Sequence, residues 1–226
     1  MKNIKYYCLS LIVLASSCTL DNYSAPDSSL SGRIIDAESG ELIQSDIYNG
    51  TVLNYYENEY PGLQSGVIKC DGTYKMGMLF SGDYKIIPTH TNFEPIDTVY
   101  VNVKGDTVYD FEVKPYIRIS NVSIIKSGKS KVTATFTVTP TSKWNTVAKI
   151  GLFIHPQPVV GAYMNIDSRE LAVSESSFSS KTFTIIYDYS DSKTITSGSE
   201  MYFRVGALCT EPDSRYNYAP AEKVLL

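Results

Sequence analysis

The stretch VTATFTVT, from Val132 to Thr139, alternates apolar side chains with threonines. Successive side chains of a β-strand point to opposite faces, so this period of two predicts a strand with one buried face. The same period recurs later in the chain: Ile150 to Ile154, Phe183 to Tyr187 and Met201 to Cys209. About seven strands with turn residues between them are typical of an immunoglobulin-type β-sandwich. Because the Cys-Trp-Cys pattern of antibody domains is missing, we expect a fibronectin-like subtype over residues 115–226.

The first half of the chain also consists of short strand patterns separated by turn dipeptides such as Asn49-Gly50 and Asp71-Gly72. The predicted strands are Ser31 to Asp36, Ile47 to Tyr55, Val67 to Cys70, Tyr84 to Pro88, Val99 to Val103 and Val108 to Val113. Lys114-Pro115 then interrupts the pattern, since proline cannot continue a central ladder. The sequence therefore predicts an all-β protein with two β-sandwich domains in tandem, over residues 30–114 and 115–226.

The first residues have the order of a secretory signal. Lys2 and Lys5 precede the apolar run Cys8 to Ala15, and a small-residue stretch ends at Cys18. This arrangement predicts a lipoprotein signal peptide over residues 1–17, with lipid attached to Cys18. Several acyl chains on Cys18 would anchor the protein to a membrane, since one chain alone holds only marginally. The polar residues that follow predict a lipidated tether over residues 18–29.

Charge and cysteine content exclude some classes of function. The net charge is -4 and the sequence has no basic block, so we expect no nucleic-acid partner. After removal of the signal and lipidation of Cys18, only Cys70 and Cys209 remain, and we expect two free, buried thiols.

The sequence offers little support for catalysis or for a metal site. His90 and His155 are the only histidines, and both fall in predicted turns or strand ends. The chain contains no G-x-S-x-G, C-x-x-C or H-E-x-x-H motif. We therefore expect a protein that is not an enzyme, with no catalytic residues, no cofactor and no bound metal.

Aromatic side chains in polar loops are the remaining candidates for ligand contacts. Flat rings can cover the apolar faces of sugars while polar neighbours bind the hydroxyls. The chain has 18 tyrosines and a single tryptophan, and most of these rings are expected to serve the sheets. The candidate ligand-binding residues are Trp144, Tyr163, Tyr55, Tyr56, Tyr60, Tyr216 and Tyr218.

Several motifs in the first domain resemble the carboxypeptidase-regulatory-like, transthyretin-like β-sandwich. They are LSGRIID (Leu30 to Asp36), ESGE (Glu38 to Glu41), DGTY (Asp71 to Tyr74), LFSGDYK (Leu79 to Lys85) and DFEVKP (Asp110 to Pro115). Together with CTLDNY (Cys18 to Tyr23) and PYIRI (Pro115 to Ile119), they make the chain similar to a Bacteroidetes family of two-domain surface lipoproteins of uncharacterised function. The resemblance implies an outer-membrane location at the cell surface and genes beside starch-utilisation-type glycan uptake systems.

These observations predict a non-catalytic cell-envelope lipoprotein that binds a polysaccharide or oligosaccharide as an accessory to glycan uptake. Its expected partners are the membrane, through Cys18, a glycan, and the proteins of an outer-membrane uptake complex. The alternative is a structural or scaffolding lipoprotein that binds protein partners of such a complex, for example through an exposed sheet edge.

Overall fold

The computed structural model describes residues 25–57, 60–173 and 177–226. The predicted signal peptide, Cys18 and most of the predicted tether lie outside these residues. Sixteen strands make up the described part, which contains no α-helix. Accordingly, no described helix is long and apolar enough to cross a membrane.

Eight strands build the first sandwich. They are β1 (Ser28–Asp36), β2 (Val52–Glu57), β3 (Tyr60–Val67), β4 (Thr73–Leu79), β5 (Gly82–Thr89), β6 (Val99–Val103), β7 (Asp106–Val108) and β8 (Phe111–Val113). One sheet has the order β4-β1-β7, with β8 also paired to β1, and the other has the order β3-β2-β5-β6. Their facing side chains form a core that includes Leu30, Leu53, Ile86 and Phe111.

Strand β1 begins two residues before the predicted domain start. Ser28 and Ser29, which we expected in the tether, are buried in this strand. The Ser28 hydroxyl accepts a hydrogen bond from the backbone of Gly105, and the Ser29 hydroxyl donates one to Asp106. These contacts satisfy the two polar side chains and tie the start of the domain to the β6–β7 turn.

The strand predictions for the first domain need several corrections. Strand β2 begins at Val52 rather than Ile47, because Asn49, with φ 56°, and Gly50 form a turn. A Cβ at Gly50 would lie 2.0 Å from the Asp46 carbonyl oxygen, so the close approach requires glycine. The predicted strand Val67 to Cys70 is absent, because β3 ends at Val67 and Cys70 lies in a turn. The predicted strand Val108 to Val113 is divided between β7 and β8. The rest of β3 and all of β4 were not predicted. Pro61, Gly62 and Gly66 interrupt the pattern of β3, which such residues can occupy because it is an edge strand.

The second sandwich also has eight strands. They are β9 (Ile117–Lys126), β10 (Lys131–Pro140), β11 (Val147–His155), β12 (Asp167–Ala172), β13 (Lys181–Asp188), β14 (Glu200–Cys209), β15 (Asn217–Tyr218) and β16 (Glu222–Leu225). One sheet has the order β13-β10-β9, and the other has the order β12-β11-β14-β15, with β16 also paired to β14.

The alternating threonine strand has the faces that its sequence predicts. Val132, Ala134, Phe136 and Val138 of β10 are fully buried in the core. On the opposite face, Thr137 pairs across the strands with Thr182 of β13 through their hydroxyls. The prediction of an all-β protein with two tandem sandwiches is confirmed.

Candidate functional site

A row of side chains on the outer face of the first sandwich forms one wall of an open cleft. Strand β5 lies between β2 and β6, and its Lys85 pairs with Tyr56 on one side and with Tyr100 on the other. The two tyrosines are therefore two strand spacings apart, about 10 Å. The Lys85 ammonium lies 5.9 Å from the Tyr56 ring centroid, near the limit of a cation–π contact.

Alternation along β2 decides which tyrosine reaches this face. Leu53 and Tyr55 point into the core, whereas Asn54 and Tyr56 point outward. Tyr55 is only 8% exposed and packs against Tyr84, with 6.1 Å between ring centroids. The prediction that Tyr55 contacts a ligand does not fit this placement, because its ring faces the core.

Tyr60 at the start of β3 completes the aromatic lining of the cleft. Its ring is 57% exposed and lies against Gly62, where a Cβ would come within 2.1 Å of a ring carbon. Glycine at position 62 therefore lets the ring fold back over its own strand. Tyr100 of β6 is more exposed still, at 74%.

Charged groups line the same cleft. Its volume is 680 Å³, which lies within the range of about 300–1,000 Å³ that is typical of small-ligand sites. The lining residues are Tyr56, Glu57, Tyr60, Pro61, Asp83, Tyr84, Lys85, Ile87 and Tyr100. The Asn102 amide donates a 2.7 Å hydrogen bond to Asp83 Oδ1, which fixes the orientation of that carboxylate. We refer to the nine lining residues as the tyrosine cleft.

Trp144 and Tyr163 lie in loops of the second sandwich, apart from the tyrosine cleft. Trp144 is 72% exposed, and the Lys143 ammonium lies 4.7 Å from its ring centroid. Its turn is held by Asn145, whose buried amide donates to the Tyr116 carbonyl. Tyr163 is about half exposed. The structure thus presents both rings to solvent but does not bring them together with Tyr56 and Tyr60 in one cleft.

Tyr216 and Tyr218 have a different environment, because they lie where the two sandwiches meet. Both are less than 10% exposed and stack on each other with 5.7 Å between centroids. The Tyr218 hydroxyl donates to the Asp46 carboxylate of the first domain, and the Tyr216 hydroxyl donates to Glu170. Their predicted role in binding a surface ligand does not fit this burial, since neither ring has a free face.

Arg204 of β14 is the centre of this interdomain contact. A guanidinium carries five N–H donors, and here all five are used. Three go to the first domain, at the Ser45 and Cys70 carbonyls and the Gln44 side chain, and two go to the Val160 and Ala219 carbonyls of the second. The guanidinium carbon also lies 4.2 Å from the Tyr218 ring centroid. One buried cation therefore crosslinks both domains.

Asp46 is the buried anion of the same contact. Loss of hydration raises the pKa of this carboxyl from 3.8 to about 6, although Tyr218 and Arg204 act in the opposite direction. Gly161 leaves room for the carboxylate, because a Cβ there would lie 1.7 Å from Asp46 Oδ1. We refer to Asp46, Arg204, Tyr216 and Tyr218 as the interdomain cluster.

An ion pair also joins the domains, nearer the surface. Arg118 of β9 binds both carboxylate oxygens of Asp36, at 2.5 and 2.9 Å. This hydrogen bonding lowers the pKa of Asp36 from 3.8 to about 2, with further help from the Glu38 backbone and Ser39. The two domains are thus connected at two separate points.

The remaining candidates for chemistry lie apart from one another. His90 is exposed in a loop with φ 50°, and His155 accepts a hydrogen bond from the backbone of Gln157. Among the described residues, no group of three His, Cys, Asp or Glu side chains could hold a metal ion. Cys70 and Cys209 are free thiols, of which Cys209 is buried and Cys70 is half-buried.

Two important residues were not singled out from the sequence. Tyr100 had a usable signal, because it alternates with Val99 and Val101 and therefore had to point away from the core. The sequence signal for Arg204 was misleading. Arg204 alternates with the buried residues Phe203 and Val205, and this pattern predicts that the arginine is exposed to solvent. The first domain, together with Val160, Ala219 and Tyr218 of the second, buries it.

Comparison with known proteins places the chain in a family. Residues 28–114 match the profile of the DUF3823 N-terminal domain, described as a protein of unknown function, and residues 117–223 match DUF3823_C, described as a domain of unknown function. No protein with a curated description matches the chain.

Solved structures agree with this assignment. A protein from Bacteroides uniformis described as a "putative carbohydrate binding protein" is 31% identical, with a TM-score of 0.81. A DUF3823 family protein from Bacteroides ovatus is 27% identical with a TM-score of 0.71, and one from Parabacteroides merdae is 23% identical with a TM-score of 0.77. Each alignment covers 89% of this chain and 100% of the other. The chain belongs to the DUF3823 family.

Proposed function

We propose that this protein is a non-catalytic lipoprotein of the cell envelope that binds a polysaccharide or oligosaccharide in the tyrosine cleft. The observation that carries the proposal is the grouping of Tyr56, Tyr60 and Tyr100 with charged side chains in one open cleft. The description of the 31% identical Bacteroides uniformis protein supports the same ligand class.

The cleft has the chemistry that sugar recognition needs. Tyrosine rings offer apolar faces to the C–H groups of a sugar, and their hydroxyls remain available to water or to the ligand. Lys85 donates and Glu57 and Asp83 accept, so hydroxyl groups of either orientation find partners. Tyr56 and Tyr100, about 10 Å apart across the strands, allow two rings of one chain to be contacted at once.

Affinity electrophoresis in gels that contain soluble polysaccharides tests the site. We expect Tyr56→Ala, Tyr60→Ala and Tyr100→Ala each to weaken binding about tenfold, as removal of a central aromatic contact commonly does. Tyr48→Ala is the matched control, because Tyr48 is exposed like Tyr60 and Tyr100 but does not line the cleft. Retention by no polysaccharide, or equal loss in the Tyr48 variant, would contradict the proposal.

Trp144→Ala examines the other exposed aromatic residue in the same gels. Trp144 is the single tryptophan and its ring reaches solvent, but the Lys143 ammonium lies close to that ring. We expect this variant to be retained like the wild type. Loss of retention only in Trp144→Ala would move the site to the second domain.

Attachment to the membrane is a separate part of the proposal. It is supported by the order of charged, apolar and small residues that ends at Cys18. Metabolic labelling with palmitate should mark the wild-type chain and not Cys18→Ser, and the latter should leave the membrane fraction. An unlabelled wild type would contradict a lipid anchor.

A scaffolding role is the second candidate, and one observation favours it. The edge strand β3 carries exposed Leu63 and Val67, and Met78 of the neighbouring edge strand β4 is 82% exposed. Unpaired edges with apolar side chains can accept a strand from another protein. Pull-down from membranes with Leu63→Lys as the control variant distinguishes the two: a partner lost with Leu63→Lys, in a protein that no glycan retards, would favour scaffolding.

A further inference from the structure

The tyrosine cleft contains two carboxylates that can accept hydrogen bonds from a ligand, those of Glu57 and Asp83. Asn102 binds Oδ1 of Asp83, and the hydrogen bonds among the described residues leave Oδ2 of this carboxylate without a protein donor. Glu57 and Asp83 take part in none of the ion pairs described for residues 25–57, 60–173 and 177–226. Within the described residues, only Asn102 donates a hydrogen bond to either carboxylate, so the other oxygens can accept from hydroxyl donors that enter the cleft.

The charges that line the cleft have a negative balance. Two acidic residues, Glu57 and Asp83, and one lysine, Lys85, line it. Lys85 also lies between Tyr56 and Tyr100 in the strand register, so a ring stacked on either tyrosine lies beside it. The chain as a whole has a net charge of -4, which adds weak repulsion for any polyanion at low salt.

Ionised carboxylates accept hydrogen bonds but cannot donate them. A hydroxyl of a neutral sugar supplies a donor, whereas a uronate or sulfate group supplies further acceptors and a like charge. A close pair of like charges in water weakens binding about fivefold, and more where the ligand excludes water.

We propose that the tyrosine cleft selects uncharged glycans, because Glu57 and Asp83 accept hydrogen bonds from sugar hydroxyls and repel acidic chains. This inference rests on the proposed function and adds the substrate class. Glu57 and Asp83 determine specificity, while the three tyrosines supply most of the contact area.

A neutral polysaccharide and its partly oxidised, acidic form together test the preference for uncharged glycans, whichever sugar the protein binds. The full chain is first run in gels with neutral polymers (starch, barley β-glucan, xyloglucan, galactomannan and arabinogalactan) and with acidic ones (polygalacturonate, hyaluronan and chondroitin sulfate). The neutral polymer that retards it most is then oxidised at part of its primary hydroxyls to carboxylates. We expect the oxidised polymer to bind at least fivefold more weakly at low salt, and the difference to shrink as NaCl is added.

The variant Glu57→Gln/Asp83→Asn separates charge from shape in this experiment. It should bind the neutral parent polymer about tenfold more weakly, and its preference for the parent over the oxidised polymer should fall severalfold. Glu112→Gln is the charge control, because Glu112 is exposed on β8 and does not line the cleft. Thermal unfolding of each variant checks that the fold is kept.

The outcomes separate this inference from the proposed function. Retention by no polymer would overturn both. Retention by neutral and acidic polymers alike, or a preference that Glu57→Gln/Asp83→Asn leaves unchanged, would overturn the charge selection and leave carbohydrate binding in place. Retention by acidic polymers alone would also overturn it.

Discussion

The interdomain cluster and the tyrosine cleft both rely on tyrosine rings, but they use them in opposite ways. Tyr216 and Tyr218 are buried, stacked and hydrogen-bonded to carboxylates of fixed position. Tyr56, Tyr60 and Tyr100 line an open surface with part of each ring in contact with solvent. The difference lies in what covers each strand face rather than in the residue type: Phe153 and Val160 of the second domain and Asp46 of the first pack against the first group, whereas the second group lines a cleft that is open to solvent.

The interdomain cluster therefore contributes to stability, and the tyrosine cleft is the region proposed to contact the ligand. Arg204, with all five donors satisfied by both domains, gives the interdomain cluster a single arrangement. Substitutions there should change unfolding and leave the chemistry of the cleft alone, while substitutions in the cleft should do the reverse.

The largest expected effect is that of Arg204→Met. Its five acceptors lie in the buried contact and would lose their donor, and Asp46 would lose its nearby cation. We expect a loss of about 4 kcal/mol of unfolding free energy and a midpoint lower by about 12 °C in scanning calorimetry. Uncoupled domains should also give two transitions. Arg169→Met, at an exposed position of β12, is the control, and an unchanged midpoint for Arg204→Met would contradict a central role.

A dependence of stability on pH should follow from Asp46. Because burial raises its pKa to about 6 from 3.8, the folded protein binds this proton more tightly than the unfolded chain does. Its contribution is therefore full below about pH 4 and is lost as the pH rises to about 6, by up to about 3 kcal/mol. Urea unfolding at pH 4, 5, 6 and 7 should show this decline in the wild type and a smaller one in Asp46→Asn. Parallel curves for the two proteins would show that Asp46 does not titrate in this way.

The stability that Asp36 contributes changes with pH in the opposite direction to that of Asp46, and in a lower pH range. Its pKa is lowered to about 2 by Arg118, so the stability it contributes is present above about pH 4 and is lost as the pH falls toward 2. The titration of Asp36 therefore does not contribute to the difference in stability between Asp46→Asn and the wild type from pH 4 to 7.

A smaller effect is expected from Tyr218→Phe. The substitution keeps the ring over Arg204 and removes only the hydroxyl that donates to Asp46. A buried carboxylate that loses one donor should cost about 1–3 kcal/mol in urea unfolding. The matched variant Tyr100→Phe, at an exposed ring, should change the same free energy by less than about 0.5 kcal/mol. An equal loss of unfolding free energy in Tyr218→Phe and Tyr100→Phe would contradict the distinction between the interdomain cluster and the tyrosine cleft.

The sequence predicted the sandwiches better than it predicted the candidate site. Val132 to Thr139 forms the expected strand because its period of two, its β-branched residues and its core contacts all agree. Strand β4 was missed, since Gly77 and Met78, with φ 57°, form an irregularity in its pairing with β1 and interrupt the alternation. Local pattern therefore sufficed where it was regular and failed at edges and bulges.

Part of the candidate site depends on contacts between distant residues, which local sequence patterns do not predict. The alternation of Leu53, Tyr55 and Tyr56 already separates the buried tyrosine from the outward one, so that distinction was within reach of the sequence. Tyr216 and Tyr218 were different, because they pack against Phe153 and Val160, and Tyr218 bonds to Asp46, all of which are far away in the chain. The grouping of Tyr100 with Tyr56 and Tyr60 likewise depends on which strands are neighbours in the sheet.

Isothermal titration with the most strongly retarding glycan tests the central claim most directly, with unfolding measured on the same samples. We expect Tyr56→Ala/Tyr100→Ala to lose measurable binding while its unfolding midpoint stays near that of the wild type. Tyr218→Phe should bind as the wild type does and unfold more easily. Binding that survives Tyr56→Ala/Tyr100→Ala in a folded protein would contradict the assignment of the tyrosine cleft as the glycan site.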